Sequence, residues 1–127
     1  PTRRSSDLED KADEVYPLLF STMRIGDIFV RYLMQYEILL GQVTKKHTQK
    51  EVVEYIEKVY NPANKDRQIG FQPTRKLGRK YKEDDLTYNR NLLGHGDIEK
   101  VVSEEKIRQL SRSIMDVLWF SLWNKSE

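Results

Sequence analysis

Cysteine is absent from this chain of 127 residues, and its absence excludes disulfide scaffolds, thiolate metal sites and cysteine nucleophiles together. Proline and glycine are scarce, with four and six copies, so long tracts lack the residues that interrupt helices. The two histidines, His47 and His95, cannot form a conventional zinc site unless several carboxylates gather around them. No apolar run approaches the roughly 20 residues needed to span a bilayer, so we expect a soluble cytoplasmic protein.

The composition fits one domain with one core of ordinary quality. Apolar residues make up 38% of the chain and charged residues 33%, with 22 basic and 20 acidic side chains. The net charge of +2 does not by itself indicate a nucleic-acid binder. Residues 1–8 resemble a translated sequencing adaptor, so we expect them to be non-native or disordered and the native domain to occupy residues 9–127. Sequence from a larger parent protein could then be missing.

The spacing of apolar residues predicts helices and almost no strands. Apolar residues recur every three or four positions, which is typical of amphipathic helices, so we predict an all-α bundle of four or five helices. The first helical segment runs over 9–40, with Pro17 and Gly26 as weak points and Gly41 as its C-terminal cap.

Three further helices are expected. Thr48 and Glu51 have the spacing of a capping box, so the second helix begins there and ends at 61–62. The third runs from about Glu83 or Asp84 and ends around Gly94-His95-Gly96. The fourth covers 103–123 and carries a broad apolar stripe formed by Ile107, Leu110, Ile114, Val117, Leu118 and Leu122. Trp119, Phe120 and Trp123 fall outside that stripe, which indicates either a covered surface or a wide core face.

Positive charge is concentrated between the second and third helices. Residues 61–82 contain few apolar side chains and are predicted to be a loop or mobile insertion. Within 65–82 there are seven basic residues and one acidic residue, a net charge of +6, which leaves −4 for the rest of the chain. Such a run is often only solvated surface, but it could also hold an RNA backbone. The predicted RNA contacts in this run are Arg75, Lys76, Arg79, Lys80 and Lys82.

One face of the third helix is polar in an unusual way. On an ideal helix, Asp84, Tyr88, Asn91 and His95 fall within an arc of roughly 60°. This stripe offers donors, acceptors and one group that titrates near neutrality. Arg90 lies off the stripe, so it could converge with His95 only if the helix unwinds at Gly94 or if a second copy packs against the first.

The run Arg90-Asn91-Leu92-Leu93-Gly94-His95 resembles the R-x4-6-H motif of the HEPN superfamily. In that family the residue after the arginine is typically polar, as Asn91 is here, and the motif closes one helix before another begins. The resemblance covers this motif and, in outline, the helical bundle. It implies a HEPN-like fold in which Arg90, Asn91 and His95 are catalytic and no metal or other cofactor takes part.

The resemblance also implies an activity and its partners. Many HEPN proteins are endoribonucleases that act as toxins, abortive-infection factors or CRISPR-associated effectors. They usually form homodimers in which two motif helices build one site, and the 2′-hydroxyl of the RNA attacks the adjacent phosphate. The expected partners are therefore single-stranded RNA, a second copy of the chain, and an antitoxin or activating protein, with no membrane involved.

The chemistry of the three residue types agrees with such a reaction. Histidine can accept and donate protons near pH 7, and a guanidinium offers planar donors to a phosphorane that gains negative charge. The amide of Asn91 could fix the histidine or a phosphate oxygen. Tyr88 and Asp84 are weaker candidates for substrate contact, because Tyr88 could pack in the core and Asp84 could simply cap the helix.

Other interpretations of the same residues stay open. His95 could be a helix-end histidine that interacts with free carbonyls, and Arg90 could form an ordinary salt bridge. His47 could be a second acid or base, although an exposed polar role is expected more often. The protein could accordingly be a non-catalytic HEPN-like module that binds RNA or protein, or a helical fragment of a larger defence protein.

Overall fold

The computed structural model describes residues 14–76, 78–94 and 102–124, with the backbone alone at 75 and 76. The described part of helix α1 covers 14–22, and helix α2 spans Ile28–Val43. Helix α3 is continuous over 49–63. It consists of an α-helical part, Gln49–Tyr55, a π-helical stretch, Ile56–Tyr60, and a last α turn, Asn61–Ala63.

The second half of the chain adds a hairpin and two helices. Strands β1, Phe71–Lys76, and β2, Arg79–Asp84, pair antiparallel. Helix α4 spans Asp85–Gly94 and contains most of the predicted motif, and helix α5 spans Glu104–Trp123. The molecule is therefore mostly helical with one small sheet. None of the helices in the described ranges is both long and apolar enough to cross a membrane.

The core lies where α2 and α5 pack along each other, which is the largest contact between two helices. The apolar stripe predicted for the fourth helix is confirmed, because Ile107, Leu110, Ile114, Val117, Leu118 and Leu122 are all buried. Trp119 and Trp123 are exposed and lie against each other, and Trp119 also contacts Tyr16 of α1. These two tryptophans thus lie outside the core, so the alternative of a wide core face does not apply to them.

The first helical segment is divided differently from the prediction. A break at 23–27, which contains Gly26, separates α1 from α2, and the carboxylate of Asp27 accepts hydrogen bonds from the first backbone N–H groups of α2. Pro17 lies within α1. The prediction that Gly41 caps this segment is wrong, because α2 continues to Val43 and Thr44 is its C-terminal cap.

The capping box at the start of α3 is confirmed and extends beyond the expected pair. Thr48 accepts a hydrogen bond from the backbone of Glu51, while the Glu51 carboxylate accepts from the Thr48 hydroxyl. The same carboxylate accepts from the backbone N–H groups of Lys45 and Lys46, at 2.8 and 2.9 Å. These bonds fix the loop before α3, in which His47 has a positive φ of 59°.

The prediction of a loop over the basic segment is wrong for its second part, because 71–84 forms a β-hairpin and the loop was expected to extend to 82. Lys76 pairs with Arg79, so two residues connect the strands, and Gly78 supplies the positive φ of 77° that such a turn requires. Apolar periodicity could not reveal these strands, since their side chains are mostly polar and β2 is exposed along four of its six residues. The fold class is consequently helical with a two-stranded addition rather than strictly all-α.

Two polar contacts attach the base of the hairpin to neighbouring helices. The side chain of Asn61 donates to the carbonyl of Ile69 and accepts from its N–H, at 2.9 and 2.8 Å. The backbone N–H of Asp85 donates to the carbonyl of Gly70 at 2.9 Å. A Cβ at Gly70 would lie 2.8 Å from a carboxylate oxygen of Asp85, so this close approach favours glycine.

Helix α3 extends to Ala63, just past its predicted end at 61–62.

Buried polar side chains of β2 and α2 form hydrogen bonds to the first turn of α4. Asp84, the last residue of β2, accepts from the backbone N–H of Thr87 at 3.0 Å and from its hydroxyl at 2.7 Å. The Thr87 hydroxyl proton is used in that bond, so Tyr36 donates to the Thr87 oxygen, at 2.7 Å. Tyr32 donates to the carbonyl of Leu86 at 2.6 Å. Burial raises the pKa of both tyrosines, which keeps them protonated as donors.

Burial also raises the pKa of Asp84 to about 6, against the lowering effect of its bonds to Thr87. An aspartate whose pKa is higher in the folded state than in the unfolded chain binds its proton more tightly when folded. Its contribution to stability is therefore greatest below the unfolded pKa and decreases as the pH rises through about 6. The shift corresponds to a change on the order of 2–3 kcal/mol in the free energy of unfolding.

We expect Asp84→Asn to remove most of this pH dependence, because the amide cannot ionise yet can still accept from the Thr87 N–H. The free energy of unfolding, measured with urea between pH 4 and 7.5, should decrease with pH in the parent protein and stay nearly flat in the variant. Glu105→Gln, a neutral substitution of an exposed carboxylate on α5, should keep the parent slope. Equal slopes for Asp84→Asn and the parent protein would contradict this account of Asp84.

Candidate functional site

Arg90 and the end of α4 form the centre of the candidate site. The Arg90 side chain is 31% exposed, and its guanidinium folds over the end of the helix. A Cβ built at Gly94 would lie only 2.5 Å from Arg90 Nη1, so the guanidinium occupies space that a larger residue at 94 would take. Arg90 thus reaches Gly94, although a wheel of the helix places its Cα off the polar stripe. His95 follows directly in the sequence and lies outside the described residues.

A single carboxylate joins Arg90 to His47. Glu37 Oε1 on α2 lies 4.0 Å from Arg90 Nη2, and Glu37 Oε2 lies 3.5 Å from His47 Nε2. His47 reaches this position from the loop that Glu51 fixes, with its backbone in the left-handed region. Non-glycine residues adopt that conformation at an energetic cost, and they concentrate at functional sites. Glu37 therefore brings two groups from distant parts of the sequence to one place.

Asn91 is held in a polar network rather than pointing freely into solvent. Its amide exchanges two hydrogen bonds with the amide of Gln49, at 2.9 and 3.0 Å, and donates a third to Glu83 Oε2 at 3.1 Å. Glu83 is buried at the end of β2, and Gln49 is the first residue of α3. Since both amide protons and the carbonyl of Asn91 are engaged, this residue ties the end of the motif helix to α3 and β2.

The other two residues of the predicted polar stripe have different surroundings. Asp84 precedes α4, which begins at Asp85 rather than at 83 or 84, and its side chain is fully buried. The predicted substrate contact by Asp84 is therefore not available in this structure, and the carboxylate caps the helix instead. Tyr88 is half-buried on the next turn of α4. The stripe drawn on an ideal helix thus does not form a single solvent-facing surface.

The predicted basic contacts divide between the two ends of the hairpin. At its tip, Arg75 pairs with Lys80 and Lys76 pairs with Arg79 in the strand register, and the side chains of Lys80 and Arg79 are exposed. The strand register therefore gathers four basic residues at one end of the hairpin, and the side chains of Arg75 and Lys76 lie outside the described part of the structure.

Lys82 lies closer to the helices and has partners within the protein. It forms a salt bridge with Glu57 of α3, and its ammonium lies 5.0 Å from the centre of the Phe71 ring. Lys82 thus helps to hold the hairpin against α3.

Sequence reasoning missed three residues that surround the motif in space. Glu37, Gln49 and Glu83 contact Arg90 or Asn91, yet they lie on α2, α3 and β2. Each is a common surface residue type, and only the capping box one position before Gln49 indicates that its surroundings are ordered. No set of three or more side chains suited to holding a metal ion occurs in the ranges that the structure describes.

Comparisons with protein-family models, with curated proteins and with solved structures found no match to this chain.

Proposed function

We propose that this protein is a metal-independent endoribonuclease of the HEPN type, which cleaves single-stranded RNA in a toxin or antiviral-defence setting. The observation that carries the proposal is the position of the Arg90 guanidinium over Gly94, the residue before His95. An arginine and a histidine five residues apart would point in different directions on an unbroken helix. Because the Arg90 guanidinium reaches Gly94, it lies close in the chain to His95, and this supports the use of both side chains at one phosphate.

In the proposed reaction the RNA supplies its own nucleophile. The 2′-hydroxyl attacks the adjacent phosphorus while the bond to the 5′-oxygen breaks, which leaves a 2′,3′-cyclic phosphate and a 5′-hydroxyl. His95 takes the proton from the 2′-hydroxyl or gives one to the departing oxygen. The guanidinium of Arg90 stabilises the extra negative charge of the phosphorane, and Asn91 positions the helix end through its bonds to Gln49 and Glu83.

The hairpin tip supports binding of the RNA backbone. The strand register gathers Arg75, Lys76, Arg79 and Lys80 at this tip, and four basic residues close together suit the phosphates of a nucleic-acid strand. Because β2 leads directly into α4, an RNA strand held at the tip could continue along the hairpin toward Arg90. Affinity for RNA should accordingly decrease steeply as the salt concentration rises.

We expect the protein to cleave single-stranded RNA in the presence of EDTA, and we expect Arg90→Ala and His95→Ala to slow cleavage by about 100-fold or more. The products, separated on a denaturing gel and analysed by mass spectrometry, should carry 2′,3′-cyclic phosphates. A 2′-deoxy substitution at a cleaved position should abolish that cut, because the nucleophile is then absent. Arg112→Ala, which removes an exposed arginine on α5, should leave the rate unchanged.

Two results would contradict the proposed reaction. One is cleavage that requires added metal or survives both motif substitutions. The other is RNA that remains intact but still binds, with Arg90→Ala reducing only the affinity. The second result would instead support the non-catalytic binding module.

We further propose that two copies combine their motifs at one site through the α1–α2 face. A groove of about 440 Å³ runs along this face, and Leu18 and Met34 belong to its lining. Glu37 also lines the groove, and its carboxylate contacts Arg90. Leu18 is 55% exposed and Met34 is 50% exposed, so the groove presents apolar surface to solvent. An apolar surface next to the motif would place two copies of Arg90 near each other if the surface packs on itself.

Gly41 adds a second reason to choose this face. It lines the same groove inside α2, and a Cβ at this position would meet no atom within 4 Å. Nothing within the described protomer therefore requires glycine, although glycine in a helix costs about 0.5–1 kcal/mol relative to alanine. Close approach of a second backbone across the groove would account for it.

Met34→Glu tests the α1–α2 face, because a carboxylate in an apolar interface separates two copies while half-exposed Met34 contributes little to the monomer. Light scattering should show a dimer for the parent protein and a monomer for Met34→Glu, with RNA cleavage reduced in parallel. Met23→Glu, which changes a methionine of similar exposure outside this groove, should remain dimeric and active. A dimer that withstands Met34→Glu would place the interface elsewhere.

A further inference from the structure

A second groove, of about 530 Å³, lies between the first half of α3 and strand β2. Gln49, Lys50 and Val53 line its helical wall, and Tyr81, Lys82 and Glu83 line the strand wall. Its volume falls within the range typical of sites for small organic ligands. The function proposed above does not use this space.

One end of this groove is in contact with the motif. Gln49 and Glu83 lie at that end, and both are hydrogen-bonded to the amide of Asn91. A ligand at this end would therefore lie beside Asn91, the residue that follows Arg90 in the motif. Near the other end, the salt bridge between Lys82 and Glu57 holds the hairpin against α3. The groove is consequently a preformed slot with one end beside the motif helix.

The lining has the chemistry that a flat heterocycle requires. Tyr81 is 39% exposed, so its ring is accessible for stacking, and Val53 offers an apolar surface from the opposite wall. The polar end presents an amide and a carboxylate, which recognise the edges of bases. Lys50 and Lys82 add positive charge along the walls, which suits a ligand attached to phosphate.

We propose that this groove binds one nucleobase of the RNA, next to the phosphate that faces Arg90, and prefers a base that carries an exocyclic amino group. The Tyr81 ring stacks on the base, and the Glu83 carboxylate, which also accepts from Asn91, accepts from the amino group. Adenine, cytosine and guanine carry such a group, whereas uracil does not. The assignment of RNA as substrate rests on the proposed function. The shape and lining of the groove are independent of that function.

Mononucleotides test the groove without relying on cleavage. AMP, CMP, GMP and UMP should each be titrated into isotopically labelled protein and followed by NMR, with ribose 5-phosphate as a probe that lacks a base. We expect shifts at Val53 and Tyr81 with the three amino-bearing nucleotides, weaker binding of UMP and none of ribose 5-phosphate. Tyr81→Leu should weaken binding about ten-fold, whereas Tyr81→Phe, which keeps the ring, should bind like the parent protein.

The outcomes separate this inference from the proposed function. Cleavage of RNA by a protein that binds no mononucleotide at millimolar concentration would overturn the inference and leave the nuclease intact. Base-dependent binding at Tyr81 without any RNA cleavage would support the groove and count against the nuclease. If ribose 5-phosphate binds as tightly as AMP, the groove is a phosphate site only and the inference is overturned. If UMP binds as tightly as AMP, recognition of the amino group is excluded and the inference is overturned as well.

Discussion

The anchoring of α4 by two buried tyrosine hydroxyls is the interaction on which the candidate site depends. Tyr32 and Tyr36 extend from α2 and bind consecutive residues, Leu86 and Thr87, in the first turn of α4. Both tyrosines are fully buried, so these bonds are shielded from competing water. A helix of ten residues has little stability alone, and this fixed first turn determines where its last turn places Arg90.

The same anchoring explains why a carboxylate is tolerated at the core. Asp84 satisfies the backbone N–H and the hydroxyl of Thr87, which Tyr36 also contacts. The cost of burying this group is seen in its raised pKa, near 6. At the other end of α4, polar groups from α2, α3 and β2 surround the motif, so both ends of one short helix are fixed by long-range contacts.

The sequence was most informative where burial follows the helical period. The stripe from Ile107 to Leu122 in α5 predicted the buried face correctly, and the Thr48–Glu51 capping box predicted the start of α3. The hairpin could not be predicted in this way because its strands bury few apolar side chains. It is held instead by contacts between residues distant from its turn, such as Asn61 with Ile69 and Gly70 with Asp85.

The sequence indicated which segment of the chain carries the candidate site, but it did not indicate which residues of other elements contact that segment. The Arg90–His95 spacing named one segment, and Gly94 was recognised as the point where the helix could end. The positions of Glu37, His47 and Gln49 depend on how α2 and α3 pack against α4, which no local pattern encodes. An ideal wheel placed Asp84 beside Asn91, whereas the start of α4 at Asp85 turns that carboxylate into the core. A shift of one residue at a helix boundary thus decides whether a polar side chain faces solvent or caps the helix from within.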